Sequence, residues 1–467
     1  MKRPLPSGAF VSINPATGRR LRAYRVHAPA EVENILRRAR DAFLEWREWP
    51  LDRRAGHLRA VARALRRRSG KLAGLITAEM GKPVSQARAE IEKSALACEY
   101  YAREARTILA ARRPRGAPQN SRVVPEPLGT VLAIMPWNFP VWQVIRTAAP
   151  VLMAGNTLLL KHAANVSGCA RAIAGVFAEA AGRRNGGAAP AAIFQILILP
   201  TEAVPALVAD PRVQAVTLTG STAAGRKVAE MAGAAMKKGV FELGGSDAYL
   251  VLDDADLDRA AEICACSRLL NSGQSCVSAK RFIVVDSVRR EFEQKFAARL
   301  AARRVGDPLD PANEIGPLAR PDLRDRLDAQ VKASVRAGAH LLLGGGPLAG
   351  PGFYYAPTLL TGVKRGMPAY DQEMFGPAAA VIAVRNEAAA VAAANDTIYG
   401  LGAAVFSRNR RRARNVATRL EAGVVFINDF VRSDPTLPFG GVKQSGYGRE
   451  LGPNGMLEFT NIKTVVG

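Results

Sequence analysis

The chain has 467 residues, 48% of them hydrophobic and 23% charged, which excludes a disordered protein and leaves room for roughly two or three domains. Its net charge of +24 comes from 65 Lys and Arg against 41 Asp and Glu. No aromatic-interleaved basic stretch, zinc finger or RNP motif accompanies that charge, so it reads as arginine spread over solvated helix faces such as 63–68 and 408–414. A basic-surface nucleic-acid-binding protein is the alternative from another class.

In chain order, Asn14-Pro15-Ala16-Thr17-Gly18 is a turn. Apolar residues spaced by three and four predict helices over 30–47, 53–69 and 87–110. The segment 111–126, rich in Arg, Pro and Gly, reads as an extended connection. From Gly129 the pattern changes: short apolar runs at 129–134, 156–161, 193–199 and 215–219 predict buried strands, separated by helices at 142–154, 166–181, 202–208 and 223–236. Buried strands alternating with helices form a parallel sheet in a doubly wound α/β domain. The second half repeats this style, with strands at 248–252, 281–285, 379–384, 403–406 and 423–427 and helices at 288–304 and 322–337. A Gly- and Pro-rich loop at 432–448 precedes the C-terminal tail. No apolar run reaches the ~18 residues of a membrane span, and Met1-Lys2-Arg3-Pro4-Leu5-Pro6 lacks the apolar core of a secretory signal, so cytoplasmic residence is expected.

The five cysteines, Cys98, Cys169, Cys264, Cys266 and Cys276, fit neither a disulfide framework nor a zinc site, and four of them are expected to be buried and inert. Cys276 stands apart. It ends the small-residue turn Asn271-Ser272-Gly273-Gln274-Ser275 and is expected to open a helix through Val277 and Ser278, whose N-terminus favours a thiolate. The four histidines, His27, His57, His162 and His340, lie in no catalytic motif, which disfavours a Cys-His hydrolase. Glu242, between Val240-Phe241 and Leu243-Gly244-Gly245, is expected to be partly buried, and burial raises a carboxyl toward the range of a general base. Asn138, bracketed in Pro136-Trp137-Asn138-Phe139-Pro140, is a rigid amide at a strand exit and a candidate oxyanion donor. In Thr219-Gly220-Ser221-Thr222-Ala223-Ala224-Gly225 a strand runs into a helix whose N-terminus can receive a phosphate. Lys161 ends another strand within reach of a ribose or phosphate. No metal-ligand cluster is visible.

Together these motifs resemble the aldehyde dehydrogenase superfamily over nearly the whole chain, with further matches in Glu79-Met80-Gly81-Lys82-Pro83, Glu373-Met374-Phe375-Gly376-Pro377 and Pro438-Phe439-Gly440-Gly441-Val442-Lys443. The resemblance implies Cys276 as nucleophile, Glu242 as general base and Asn138 as oxyanion donor. It implies cofactor binding by Trp137, Lys161, Gly220, Ser221, Gly225, Leu243, Glu373 and Phe375. It further implies an α/β fold with a Rossmann-type cofactor domain (1–110 and 127–244), a second α/β catalytic domain (245–436) and a small oligomerisation arm (111–126 and 450–467). A homodimer or homotetramer is the family expectation.

Lys161-His162-Ala163, Gly244-Gly245-Ser246-Asp247 and Trp142-Gln143-Val144-Ile145-Arg146 look like the succinate-semialdehyde dehydrogenase branch. That likeness makes Arg146, with Ser433 and Phe439, the expected substrate-binding group, since a guanidinium suits a distal carboxylate. Ala164 stands where the family often has an acid that accepts from the adenosine ribose, so NADP is as plausible as NAD. Leu270 replaces a second arginine of some members, Arg268 lies nearby, and Asp434 would repel a carboxylate if it faced inward. Another aliphatic or aromatic aldehyde is the alternative substrate.

Overall fold

Residues 8–182 and 189–467 are described by a computed structural model; the Met1–Pro6 stretch lies outside the described residues. The apolar runs become strands because each is too short for a buried helix and is flanked by turn residues. Thr130–Met135, Thr157–His162 and Phe194–Leu197 pair in parallel on one side, while Val213–Thr219 and Lys238–Glu242 extend the sheet in parallel on the other. The chain therefore reverses its order of addition between Thr130–Met135 and Val213–Thr219. Gly446–Tyr447 closes the edge antiparallel to Lys238–Glu242, so a C-terminal residue pair completes this six-stranded sheet.

A seven-stranded sheet runs in the order His340–Leu343, Thr358–Thr361, Ala378–Val384, Arg281–Val285, Ala248–Val251, Gly402–Phe406 and Val424–Ile427, parallel except at its first pair. The predicted strands coincide with these elements to within two residues at each end. Lys238–Glu242 was not expected as a strand because Lys238 and Gly239 break the apolar run, and His340–Leu343 and Thr358–Thr361 were missed because they are four residues long. A helix at Ser69–Met80 was also missed, although Leu72, Ile76 and Met80 repeat every four residues and are buried. It stops at Gly81, whose φ of 81° is the left-handed C-terminal stop that glycine adopts without strain.

Ser121–Pro127 and Thr460–Val466 pair antiparallel as a separate two-stranded ribbon. Among the described residues no helix is long and apolar enough to cross a membrane. Cys98, Cys169 and Cys264 are buried free thiols, but Cys266 is exposed on a helix beside Glu262 and Arg303, so three cysteines rather than four are sequestered.

Candidate active site

Doubly wound sheets bind ligands beyond the carboxyl ends of strands where the strand order reverses. Here that place is a cavity of 760 Å³. Residues just beyond each strand end build its wall: Pro136, Trp137 and Asn138 after Met135, Gly220 and Ser221 after Thr219, and Leu243 and Gly244 after Glu242. The second half of the chain contributes Cys276, Glu373 and Phe375 to the same space.

The loop carrying Cys276 is strained and heavily tied. Asn271, Ser272 and Gly273 take φ values of 54°, 56° and 75°, consecutive left-handed residues that an L side chain adopts at a cost of roughly 1–2 kcal/mol each. The surroundings hold them there. The Asn271 N–H donates to Gln86 Oε1 (2.8 Å), its side-chain amide donates to the Asn138 carbonyl (2.8 Å), and Ser272 Oγ donates to the Gly316 carbonyl (2.9 Å). Two buried cations face the loop's carbonyls: Lys280 donates to Ser275 O (2.9 Å) and Cys276 O (2.6 Å), and Arg268 donates to Gly273 O (2.6 Å) and Ala279 O (2.7 Å). Gly273 is required twice over, by its φ and because a Cβ there would stand 2.2 Å from the Gly376 carbonyl oxygen. Gly273→Ala is expected to lower stability by about 2 kcal/mol or more, read as a lower urea midpoint.

Cys276 lies in a turn and opens no helix, which corrects the expectation of a helix N-terminus beside the thiol. The thiol opens to the cavity but is walled in elsewhere, and burial pushes it up to about 12; Arg146 and Lys280 oppose that push, while Glu242 and Glu373 add to it. Nearby cations, and not a helix dipole, therefore oppose the effect of burial on this thiol.

Asn138 is buried, with its amide orientation set by its neighbours: Oδ1 accepts from Gln143 Nε2 (3.1 Å) and Nδ2 donates to the Gln274 carbonyl (3.0 Å). Groups without a role assigned from sequence hold its loop. Glu90 Oε1 accepts the N–H groups of Val141 (2.8 Å) and Trp142 (2.9 Å), anchoring the start of helix Trp142–Met153, and its other oxygen pairs with buried Lys82. Lys82 Nζ sits 3.6 Å over the Phe139 ring. His162 is the buried end of a strand. Its Nδ1 lies 3.1 Å from the Met135 carbonyl and its Nε2 3.0 Å from the Pro140 carbonyl, so the ring bridges the strand end and the Asn138 loop.

Glu242 is 2% exposed, and neither carboxylate oxygen has a hydrogen-bond partner among the described residues. Burial holds this carboxyl well above the usual range; Glu450 pushes the same way, while Arg146 and Arg449 oppose it. It lies behind the cavity walls, close enough to Cys276 to be felt by the thiol. Arg146 approaches Glu450 Oε2 with Nε at 2.5 Å, an ion contact without hydrogen-bond alignment, and Nη2 donates to Thr219 Oγ1 at 3.1 Å. Both partners of that pair are almost fully buried. Removing one member of a buried pair strands the other. Arg146→Ala is therefore expected to cost about 3 kcal/mol in denaturant unfolding, whatever it does to activity.

A second cavity, of 210 Å³, meets the first at Cys276 and Gln143. Its walls are mostly apolar, from Phe139, Trp142, Leu270, Val277, Val431 and Phe439. Its polar members include Arg146, Ser433, Lys93 and Arg432. Ser433 Oγ accepts from Lys93 Nζ at 2.8 Å. Arg268 points to backbone carbonyls of the nucleophile loop and lines neither cavity. Asp434 turns its carboxylate to the Thr436 N–H (2.8 Å) and hydroxyl (2.6 Å) and does not line the cavity. Lys93 was legible as a residue on the predicted helix but carried no motif.

Of the residues expected at a cofactor, Trp137, Gly220, Ser221, Leu243, Glu373 and Phe375 line the larger cavity, whereas Lys161 and Gly225 do not. Gly225 instead makes room for Leu243, whose Cδ2 lies 2.3 Å from where a Cβ would stand. A nicotinamide dinucleotide fits the donor set. Helix Thr222–Ala234 opens on the cavity with its N-terminal N–H groups, capped by Ser221 Oγ accepting from Ala224 N at 3.2 Å. Glu373, fixed by the Gly245 N–H at 3.1 Å, offers a carboxylate for ribose hydroxyls, and Trp137 and Phe375 meet edge-on with centroids 5.8 Å apart. Gly244 keeps the wall open, since a Cβ there would lie 2.8 Å from Glu373 Oε2.

Residues 5–465 match the model of the Aldehyde dehydrogenase family. The chain is 46% identical over 460 residues to the NAD(P)+ succinate semialdehyde dehydrogenase Sad of Escherichia coli (strain K12), covering 98% of each. It is 47% identical over 457 residues to a probable NADP(+) succinate-semialdehyde dehydrogenase of Synechocystis sp., covering 98% of this chain and 99% of that one. Among solved structures, the succinic semialdehyde dehydrogenase of Streptococcus pyogenes in complex with NADP+ superposes with a TM-score of 0.94 at 36% identity, over 98% of this chain and 99% of that one.

Proposed function

The chain belongs to the aldehyde dehydrogenase family, and from that premise we propose that it oxidises succinate semialdehyde to succinate with NAD or NADP as acceptor. The observation that carries this reading is the meeting of two cavities at one cysteine. One offers a helix N-terminus and a ribose-type carboxylate; the other is small, largely apolar-walled, and carries Lys93, Arg146 and Arg432 among its polar residues. The likeness to curated succinate-semialdehyde dehydrogenases supports the same substrate.

In this reading the Cys276 sulfur attacks the aldehyde carbon, and Asn138 Nδ2, with the Cys276 backbone N–H, takes the charge that develops on oxygen. The nicotinamide, when bound, supplies the acceptor for the hydride that leaves that carbon. A thioester on Cys276 remains. Glu242 takes a proton from water as the water attacks the thioester carbon, and the thiolate leaves with release of the acid. Trp137, Glu373, Phe375, Leu243, Gly220 and Ser221 hold the dinucleotide, with Lys161 and Gly225 shaping the strand end and helix start behind them. Arg146 contacts Glu450 and Thr219 through Nε and Nη2, which leaves Nη1 for a ligand in the smaller cavity. Ser433 and Phe439 complete that wall.

Ala164 is exposed and removes the acid that would repel a 2′-phosphate, which favours use of both cofactors. We also infer the division into a cofactor unit around the six-stranded sheet, a catalytic unit around the seven-stranded sheet, and an arm that mediates oligomerisation. A two-stranded ribbon is marginal alone. This one exposes Ile462, Val465 and Val466, the pattern of a strand covered by another subunit.

Initial rates of NADH and NADPH formation with succinate semialdehyde against butanal test the reading. A preference for the acid aldehyde with either cofactor is expected; equal rates with butanal would sink the substrate assignment while leaving the dehydrogenase intact.

A further inference from the structure

Three cations line the smaller cavity, and two of them are already answered by an acid. Arg146 faces Glu450. Arg432 pairs with Asp429 at 2.8 Å and leans on the Phe430 ring, with its side chain 48% exposed at the rim. Glu90, the acid in the wall, is engaged by Lys82 and by the Val141 and Trp142 N–H groups. Lys93 remains. Among the described residues no carboxylate lies within ion-pair distance of its Nζ, which instead rests 4.3 Å over the Trp142 ring and donates to Ser433 Oγ. A half-buried ammonium held by one hydroxyl and one aromatic face is a cation with coordination to spare.

We propose that Lys93 is the specificity-determining residue of this cavity, binding the distal carboxylate of an acid aldehyde together with Ser433. The inference rests on the substrate reading above and deepens it. Arg146, neutralised by Glu450, shapes the wall and adds a donor, whereas Lys93 supplies the uncompensated positive charge that separates an acid aldehyde from a neutral one. The charged groups around it set its titration. Burial and the neighbouring Arg146 and Arg432 lower Lys93 to about 8, against the opposing pull of Asp434 and Glu90. Its charge is thus present at neutral pH and lost as pH rises through about 8, which should weaken binding of the acid aldehyde and leave a neutral aldehyde indifferent.

The test compares kcat/KM for succinate semialdehyde and for butanal in wild type, Lys93→Gln and Lys93→Arg, with the KM of the acid aldehyde followed from pH 6.5 to 9.5, a window of roughly one and a half units either side of the expected transition. Loss of a charge-assisted hydrogen bond predicts a fall of about 10- to 100-fold in the acid-to-neutral ratio for Lys93→Gln, mainly through KM, with the ratio recovered in Lys93→Arg. In wild type the KM for the acid should climb above pH 8, and in Lys93→Arg that climb should vanish. If wild type favours the acid aldehyde and Lys93→Gln favours it equally, the role of Lys93 is overturned and the substrate reading stands. If wild type shows no such preference at any pH, both fall together. Should Lys93→Gln fail to fold, Lys93→Arg and the wild-type pH profile still decide, since a purely structural lysine would give a flat KM.

Discussion

Glu242→Gln should accumulate an acyl-enzyme in a burst of reduced cofactor and then turn over about 10²–10⁴-fold more slowly than wild type. The amide is nearly isosteric with the carboxyl, so the closely packed surroundings, where Gly440 leaves no room for a Cβ beside Glu242 Oε1, are preserved. What disappears is the proton acceptor for water. The two oxygens of Glu242 have no partner among the described residues, which is an expensive arrangement for a buried acid unless water or substrate is meant to reach it. Burial also sets the sign of the pH dependence. With the carboxyl held well above its usual range, the protonated and inactive form is favoured at low pH, so deacylation speeds up as pH rises. That rise should be absent from the glutamine variant. Stopped-flow measurement of the burst and of the steady state separates the two steps, and an undiminished steady-state rate would remove Glu242 from the mechanism.

Asn138→Ala should lower kcat by about 10²–10³-fold, the typical loss for one oxyanion donor, with a smaller change in KM. The mechanism requires the amide nitrogen, not its oxygen, to face the reacting centre, and the surroundings impose that orientation. Gln143 donates to Oδ1, and the Gln274 carbonyl accepts from Nδ2 on the nucleophile loop itself. One residue thereby positions two things, the donor and the loop bearing Cys276. Asn138→Asp disturbs both roles, since a carboxylate cannot donate and would repel both the oxyanion and the Gln274 carbonyl. It should be at least as slow as the alanine variant. Equal kcat in wild type and Asn138→Ala would assign the oxyanion to other donors.

Much of this architecture was legible from short-range pattern. The run of small residues before Cys276 announced a tight turn, and Asn271, Ser272 and Gly273 do adopt left-handed backbone there. The apolar runs after Gly129 announced a parallel sheet, and its strand exits deliver Trp137, Asn138, Gly220 and Ser221 to one cavity. The helix expected at Cys276 failed because local pattern around Val277 and Ser278 does not decide the backbone there. Lys280 and Arg268 hold that stretch by capping its carbonyls from the interior. A strongly basic composition hid those two cations among many solvated ones.

The sequence by itself determined the fold class, the order of elements and which residues stand at the strand exits, because hydrophobic period and turn chemistry act within a few positions along the chain. Only the tertiary structure decided which charges are spent and which are free. Arg146 and Lys93 lie on neighbouring helices, yet Arg146 meets an acid from the C-terminal segment while Lys93 meets Ser433, 340 positions away, and no acid among the described residues. Charge pairing depends on distance through space and on the burial that removes water's screening, and the chain's linear order encodes neither until the two sheets have packed.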